Sequence, residues 1–499
     1  MINITPLIPE LFLLVMAIVV LMLDLFSSRR TVVVPAYVSM AAVIITGFLV
    51  FKFGGDAVRW GSNAIFVADS FSQFFKVIIL GAAFLAIGSS FGTADRMTHH
   101  RGEFFALLLF STVGMMFLVS AKELILLYVG LELTTIPLFV LVAYQKTNRA
   151  SSEAGLKYLI IGAASSAILL YGLSLLYGYT GTTYLNEIAQ KTAVYFLSHG
   201  FIPNAEGTTD LVGMGPAFSV ALMMIIAGLT FKLAIVPFHM WAPDVYEGAP
   251  TPITAFLSVG SKAAGLAAII RIFDGMLYAF SHDTMPNDSW GTMMAVLAAV
   301  TMVAGNIIAI RQTNIKRMLA YSSIAQAGYI LIGVIAASKL GVASCGFYMF
   351  AYMFANMGAF AIVGLYAEKT GKKNISDFAG LSKTSPIIAA LMTMFMLSLA
   401  GIPPLAGFMA KYYIFAAAIE AGYTWLVILA LLMSVVSLYY YANVVRIMYM
   451  VDSDNKHHII PSFPAGLVLA LTGIGVLLFG ILPQSILDMA YKTASSFIF

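Results

Sequence analysis

Long apolar runs separated by short polar segments recur from one end of this chain to the other. A helix rises about 1.5 Å per residue, so about 20 apolar residues cross the roughly 30 Å of hydrocarbon in a bilayer. The pattern predicts about fourteen membrane helices, with the segment 385–420 counted as one interrupted span. The predicted bounds are 7–26, 32–51, 71–91, 104–120, 122–143, 154–179, 216–240, 251–272, 291–310, 319–337, 341–367, 385–420, 424–447 and 463–483.

Composition agrees with this pattern. Of 499 residues, 61% are hydrophobic and only 10% are charged, which leaves too little polar surface to cover a soluble domain. We therefore predict an all-α polytopic protein in a lipid bilayer. The first apolar run is interpreted as a helix and not as a signal peptide, because it lacks a basic start and is bracketed by Glu10 and Asp24.

No metal or cofactor site is expected within the chain. Its single cysteine, Cys345, excludes a disulfide framework and a cysteine-ligated cluster or zinc site. His99 and His100 are adjacent in a polar loop, and solvated side chains explain them better than metal ligation. Motifs for dinucleotides, phosphate loops and nucleophile elbows are absent from the sequence.

Lysine and arginine are divided unequally between alternate loops, fifteen in one set and seven in the other. Positively charged loops favour the cytoplasmic side of a membrane. The first set is therefore predicted to be cytoplasmic and both termini external. The net charge of +4 follows from this topology and does not indicate nucleic-acid binding.

Five lysines fall inside predicted helices, where a charge costs about 2.5–3.5 kcal/mol at the bilayer centre. They must face protein or water. Lys76 is close enough to a helix start to snorkel to the interface, and Lys157 can pair with Glu153 four residues earlier. The remaining three lie deeper. The five are Lys76, Lys157, Lys232, Lys262 and Lys411.

Glu132 also lies near the middle of a predicted helix. Burial disfavours the charged form of a carboxylate and of an ammonium group, so both can exchange protons near neutral pH. One glutamate and several lysines at a common depth therefore predict a proton relay in the plane of the membrane.

Two proline-containing breaks accompany these lysines. In "FKLAIVPFHMW", Pro237 removes a backbone donor close to Lys232, and such a break is tolerated only where protein or a wet cavity surrounds it. His239 follows Lys232 by seven residues, on about the same helix face. It is a further relay candidate, and a histidine satisfied by backbone at a helix end is the alternative.

The second break, "AGIPPLAGFMAKYY", contains Pro403, Pro404 and Lys411. Matching Pro237 with Pro404 aligns a shared pattern of apolar and aromatic residues. Interrupted helices in matching places indicate repeats around an ion path, so we predict two inverted five-helix repeats, each with one discontinuous helix. The predicted organisation is an N-terminal three-helix segment 1–103, the repeats 104–272 and 291–447, and a C-terminal helix in 463–499.

Four stretches carry a resemblance to a known family. "FKLAIVPFHMWAPDVYEGAPTP", "KYLIIGAASSAILLYG", "NIIAIRQTNIKRMLAYSSIAQAGY" and "LAGIPPLAGFMAKYYIF" resemble the antiporter-like proton-translocating subunits of respiratory complex I, over about residues 100–450. Within that family the chain is most similar to the N type, the counterpart of subunit 2 in mitochondria and chloroplasts. It lacks the long lateral helix of the L type, and it has Lys411 where the M type has glutamate.

The resemblance implies roles for these residues. Glu132 and Lys232 would be an ion pair at the uptake half-channel, Lys262 the central relay, and Lys411 the start of the exit half-channel. Lys157 would be a further relay lysine. Quinone reduction in neighbouring subunits would change the field at the Glu132–Lys232 pair, and a proton would pass from Lys262 to Lys411.

The resemblance also implies the surroundings. Partners would be the A, J, K, M, L and H types of membrane subunit, with NADH, FMN, iron–sulfur clusters and quinone bound in partner chains. The location would be a bacterial cytoplasmic membrane, or a thylakoid-type membrane in a phototroph. Two alternatives are a subunit of a multi-subunit Na⁺/H⁺ antiporter and a membrane anchor with vestigial charges. Neighbouring genes would separate the first from complex I.

Overall fold

The computed structural model describes residues 3–26, 33–60, 63–95, 101–199, 215–279, 289–452 and 458–494. His99, His100 and residues 200–214 of the predicted 180–215 loop lie outside these ranges. The helices of the first half are α1 (Ile8–Phe26), α2 (Val34–Lys52), α3 (Ser70–Ser89), α4 (Phe91–Asp95), α5 (Arg101–Ser120), α6 (Leu124–Val142), α7 (Arg149–Thr180), α8 (Leu185–His199), α9 (Gly215–Leu233), α10 (Trp241–Gly248), α11 (Thr251–Phe256) and α12 (Lys262–Ala279).

The second half contains α13 (Ser289–Ile310), α14 (Ile315–Ile335), α15 (Lys339–Thr370), α16 (Leu381–Thr384), α17 (Pro386–Ala400), α18 (Ala406–Glu420), α19 (Thr424–Met450), α20 (Phe463–Ile481) and α21 (Gln484–Ala494). Short 3₁₀ turns cover Thr5–Leu7 and Ile375–Phe378. One π turn, Leu257–Ser261, joins α11 to α12.

Within the described ranges, twelve helical spans are long and apolar enough to cross a membrane. Two shorter apolar helices, Phe218–Leu233 and Pro386–Ala400, are the first halves of interrupted spans. The prediction of a polytopic helical membrane protein is confirmed. The exact count of fourteen spans stays a prediction.

The sequence pattern missed a small β-hairpin. Strands β1 (Ala57–Trp60) and β2 (Asn63–Val67) pair antiparallel between α2 and α3, with an irregularity between Val58 and Arg59. Phe66 on β2 is buried and contacts the edge of the Phe117 ring on α5. The strands are four and five residues long, too short to stand out against the apolar helices on either side.

A two-helix unit occurs twice. A short antiparallel bridge links the start of α6 with the chain just after α7, and another links the start of α14 with the chain just after α15. Both α7 and α15 have 32 residues, and each ends at a left-handed glycine, Gly181 with φ 66° and Gly371 with φ 72°. Glycine adopts this conformation without the steric cost of a side chain. The unit supports the predicted repeats, whose bounds stay a prediction.

Helix α6 crosses α5 at very short range. A Cβ atom added to Gly114 of α5 would lie 2.4 Å from the backbone nitrogen of Thr134 of α6, so only glycine fits there. Close packing of this kind is typical of membrane helices, where small residues let two backbones approach. The crossing fixes the stretch of α6 that contains Glu132 and Thr135.

Candidate functional site

Four of the five predicted intramembrane lysines are buried in the protein: Lys76, Lys232, Lys262 and Lys411. The fifth, Lys157, has 42% of its side chain exposed. The prediction that these cations face protein and not lipid thus agrees with the structure for the four. Their partners differ, and the differences separate two classes of lysine.

Lys232 lies in the last turn of α9 and donates from Nζ to the hydroxyl of Thr135 on α6. Glu132, one turn before Thr135, accepts a hydrogen bond from the hydroxyl of Ser166 on α7. Among the described residues, Glu132 and Lys232 therefore form no direct ion pair. Neither Thr135 nor Ser166 was predicted from the sequence, since hydroxyl residues are common in membrane helices.

The chain beside Lys232 is interrupted as expected from Pro237. Helix α9 ends at Leu233 and helical structure resumes in α10 at Trp241. In between, Ala234 has a positive φ of 57°, and the backbone nitrogen of Val236 donates to the hydroxyl of Thr301, at 3.1 Å. Backbone groups released by the break are thus satisfied inside the protein, as a membrane interior requires.

The second break repeats this backbone geometry at the same spacing in the chain. Gly401 has a φ of 89° where the first break has Ala234, and Ile402 donates to Leu397 O just as Ile235 donates to Thr230 O, both at 3.0 Å. The proline peptides Val236–Pro237 and Pro403–Pro404 are both cis. The match of Pro237 with Pro404 made from sequence therefore extends to the backbone.

Lys411 extends back from α18 to the end of α17. Its Nζ donates to the carbonyl oxygen of Ala400 at 2.8 Å and to the hydroxyl of Ser434 at 2.7 Å. The carboxyl end of a half-helix carries partial negative charge and favours a cation. Lys232 also lies at the carboxyl end of a half-helix, α9, although it precedes its break and Lys411 follows its own.

A cleft of about 480 Å³ begins at Lys411 and Ser434. It follows α18 from Phe408 to Glu420, a length of about 18 Å at 1.5 Å per residue. Polar groups line its two ends, and its middle is apolar or aromatic. The cleft connects the buried lysine with the end of α18.

Lys262 is the first residue of α12, directly after the π turn Leu257–Ser261. Its Nζ donates to the backbone carbonyl of Ser323 on α14. One turn later, Gly265 packs against Lys232: a Cβ added to Gly265 would lie 3.1 Å from the Cβ of Lys232. The structure therefore brings Lys232 alongside the helix that starts with Lys262.

Lys157 belongs to a partly exposed cluster of charges. Its Nζ lies 2.9 Å from Glu153 and 2.6 Å from Asp244, and Asp244 also pairs with Arg317 at 2.6 Å. The local pair weighed from sequence is present, joined by a second carboxylate from α10. His239 is half-buried and lies two residues after Pro237, in the interrupted segment between α9 and α10. Relay roles for Lys157 and His239 stay predictions.

Two ion pairs inside the protein were not anticipated from the sequence. Lys76 does not snorkel to the interface: it is buried and forms an ion pair with Glu10 at 2.7 Å. Arg271, counted as a loop residue, is buried in α12 and binds both carboxylate oxygens of Asp69 and the carbonyl of Val119. Hydropathy alone cannot reveal carboxylates that neighbouring helices supply.

Among the described residues, no group of three or more His, Cys, Asp and Glu side chains is arranged to hold a metal ion. The chemistry of the site lies instead in its lysines. Lys232, Lys262 and Lys411 are buried without a carboxylate within 4 Å in the described part of the chain. Such groups can bind and release protons.

A helical membrane bundle with two interrupted helices and a row of buried lysines defines the class of ion-translocating membrane proteins. Residues 121–437 match the family described as NADH:quinone oxidoreductase/Mrp antiporter, TM. The chain belongs to this family.

Relatives in two bacterial groups resemble nearly the whole chain. It is 44% identical over 470 residues to NADH-quinone oxidoreductase subunit N of Heliobacterium modesticaldum, covering 94% of this chain and 93% of the relative. It is 42% identical over 464 residues to NAD(P)H-quinone oxidoreductase subunit 2 of Synechocystis, covering 93% and 85%.

Solved structures show the same fold. A chain of respiratory complex I from Thermus thermophilus is 30% identical, with a TM-score of 0.76 and coverage of 96% of this chain and 98% of that one. A chain of the Mrp complex from Dietzia has a TM-score of 0.81, with coverage of 99% and 98%, at 22% identity. The second likeness is one of fold alone.

Proposed function

We propose that this chain is the N-type proton-translocating subunit in the membrane arm of an NADH–quinone oxidoreductase. The observation that carries the proposal is the set of three buried ammonium groups, on α9, α12 and α18, each held by a hydroxyl or carbonyl oxygen. Identity of 44% to a subunit N over nearly the full length supports the particular complex.

In the proposed path, a proton enters from the cytoplasmic side near Glu132 and Lys232, passes to Lys262 and then to Lys411. From Lys411 the cleft along α18 leads toward Glu420 and the external side. Glu132 and Lys232 bind Ser166 and Thr135 and do not contact each other directly. When the pair opens or closes, the charge that Lys262 experiences changes, and its proton passes to Lys411.

Redox chemistry would occur elsewhere in the complex. NADH, FMN, iron–sulfur clusters and quinone are assigned to partner chains, and the membrane partners are the A, J, K, M, L and H types. The partner chains determine the electron donor, and the host determines the kind of membrane.

Replacing Lys262 tests the proposal. Arginine keeps a cation but stays protonated, whereas the path needs a group that loses its charge. We expect Lys262→Arg to lower proton uptake and coupled quinone reduction in membrane vesicles about tenfold or more, nearly as much as Lys262→Ala. Lys383→Arg, at an exposed ion pair with Asp452, is the matched control and should be unchanged. Normal pumping by assembled Lys262→Arg enzyme contradicts the titrating-lysine mechanism.

Lys232 gives a graded result. Lys232→Ala should assemble yet lose most coupled activity, because Glu132 loses its partner charge and the switch is gone. Lys232→Arg should rescue part of that loss, since in this scheme Lys232 supplies mainly the charge and Lys262 transfers the proton. Complete failure of Lys232→Arg would assign titration to Lys232 as well.

The Na⁺/H⁺ antiporter alternative predicts different companions. Purification of the assembled protein, followed by mass spectrometry, should recover quinone-module and iron–sulfur subunits if the chain serves complex I. Small antiporter subunits without a redox chain would favour the alternative.

The proposed orientation has both termini external. A reporter fused after Lys373 should be cytoplasmic, and one inserted in the 180–215 loop should be external. If both report the same side, the fourteen-span topology is wrong.

A further inference from the structure

We propose that the phenol of Tyr352 and the hydroxyl of Ser323 conduct the proton between Lys262 and Lys411. This inference rests on the proposed function, because it names the link between two of its lysines. Between Lys262 and Lys411 the structure places hydroxyl and amide groups: Lys262 contacts the backbone of Ser323 at one end, and Lys411 lines a small cavity at the other.

The link starts at Ser323 on α14. Its carbonyl oxygen accepts a hydrogen bond from Lys262, and its side-chain hydroxyl contacts the hydroxyl of Tyr352 at 2.9 Å. Both residues are buried. The hydroxyl of Tyr246 lies 3.5 Å from the same Ser323 oxygen, at the limit of a hydrogen bond. Lys262 and Tyr352 therefore contact one serine, Lys262 at its carbonyl oxygen and Tyr352 at its hydroxyl.

The link ends at a small cavity. Its volume is about 10 Å³, close to the lower limit for holding one water molecule. Tyr352 and Lys411 both line it, together with Gln326, Tyr348 and Ser398. Alanine, glycine and leucine residues line the rest of this space. In the proposed link, a water held beside the polar groups bridges the tyrosine and the lysine.

Helix α15 supplies a polar stripe for this path. Tyr348, Tyr352 and Asn356 follow each other at four-residue spacing, so they lie on one face over about 12 Å. Asn356 donates to Ser258 at 2.5 Å, one turn before Lys262, and Tyr348 donates to Gln326 at the cavity. The stripe thus extends from the neighbourhood of one lysine to that of the other.

The transfer balances without an ionised tyrosine. Lys262 turns from the carbonyl to the hydroxyl of Ser323 and gives that hydroxyl a proton, as the proton of the serine O–H passes to Tyr352. The tyrosine gives its proton to the water, and the water protonates neutral Lys411. Each O–H bond breaks as the next forms, so only the two lysines change charge. A hydroxyl both donates and accepts and rotates to suit, which allows this direction.

The test uses the whole complex in membrane vesicles. Tyr352→Phe removes one oxygen and keeps the ring, and we expect proton uptake and coupled quinone reduction per assembled complex to fall about tenfold. Ser323→Ala should fall similarly, since the Lys262 contact is to the carbonyl and is retained. The double variant should be no worse than either single one, because both interrupt the same link.

Tyr366→Phe is the matched control. Tyr366 is buried on the same helix, but its hydroxyl donates to the carbonyl of Asp377, away from both lysines. It should keep full activity. A tyrosine that only stabilises the fold would lower the yield of Tyr352→Phe complex without lowering proton uptake per complex, and that result would overturn the proposal.

Lys262→Ala distinguishes a failure of the hydroxyl link from a failure of the proposed function. If Lys262→Ala abolishes pumping while Tyr352→Phe and Ser323→Ala pump normally, the hydroxyl link is wrong and the proposed function stands. If Lys262→Ala also pumps normally, the proposed function itself fails.

Discussion

The buried Lys76–Glu10 pair tests whether an intramembrane lysine can stabilise the fold without taking part in proton transfer. Lys76 on α3 and Glu10 on α1 are 2.7 Å apart, with exposed side-chain fractions of 2% and 0%. The ammonium also lies 4.8 Å above the ring of Phe66. We expect this pair to hold the N-terminal helices together and to take no part in the relay.

The size of the effect follows from burial. Lys76→Met leaves the Glu10 carboxylate in a dry interior, and removing one partner of a buried pair costs about 3–5 kcal/mol. Replacing both partners by apolar residues of similar size removes the isolated charge, and such exchanges are often neutral or stabilising. Glu10→Leu combined with Lys76→Met should therefore recover most of the stability lost by Lys76→Met alone.

The assay compares the yield of assembled complex, its resistance to thermal inactivation and its proton uptake per quinone reduced. Lys76→Met should lower the first two and leave the third unchanged. Lys52→Met, at an exposed position at the end of α2, is the control and should resemble the parent. A double variant as unstable as the single one would refute a structural role for the pair, and so would an assembled Lys76→Met complex that pumps fewer protons per quinone.

Two further predictions concern backbone geometry near the relay. Pro237→Ala and Pro404→Ala should insert normally, because a continuous helix is easier to accommodate, yet lower proton uptake; full pumping with alanine at both positions would make the breaks purely structural. Gly265→Ala should displace Lys232 slightly, because its Cβ would be 3.1 Å from the new methyl group, and should lower coupled activity by about severalfold. Gly178→Ala, with no neighbouring atom within 4 Å, is its control, and equal activities of the two would refute the crowding.

The sequence predicted the position of each residue along its membrane helix, but not the residues of other helices that it contacts. Apolar run lengths located the helices, and Pro237 and Pro404 located the breaks, because each rule acts within one segment. Glu10 and Lys76 are far apart in the chain and meet only when α1 packs beside α3. Hydropathy places residues along a helix axis but does not state which neighbour each side of the helix will meet.

The hydroxyl residues that bind the site's charged groups were not predicted from the sequence, for a related reason. Thr135, Ser166 and Ser434 bind Lys232, Glu132 and Lys411, yet each looks like an ordinary membrane-helix residue. Lys157 is the instructive contrast: its partner Glu153 is four residues away on the same helix, and the sequence did predict that contact.

Because a π turn precedes Lys262, the direction in which this lysine points depends on the number of residues in that turn. In an α-helix each residue turns the chain by about 100°, and a π turn accommodates one residue more than an α turn. Deleting a single residue within Leu257–Ser261 would let α11 and α12 join as one regular helix, with the two parts rotated against each other by about 100°. Lys262 would then lose Ser323, or α11 would lose its own packing, although no charged or polar side chain of the relay had been altered. The number of residues in this turn therefore sets the direction of Lys262 as much as its place at the start of α12 does.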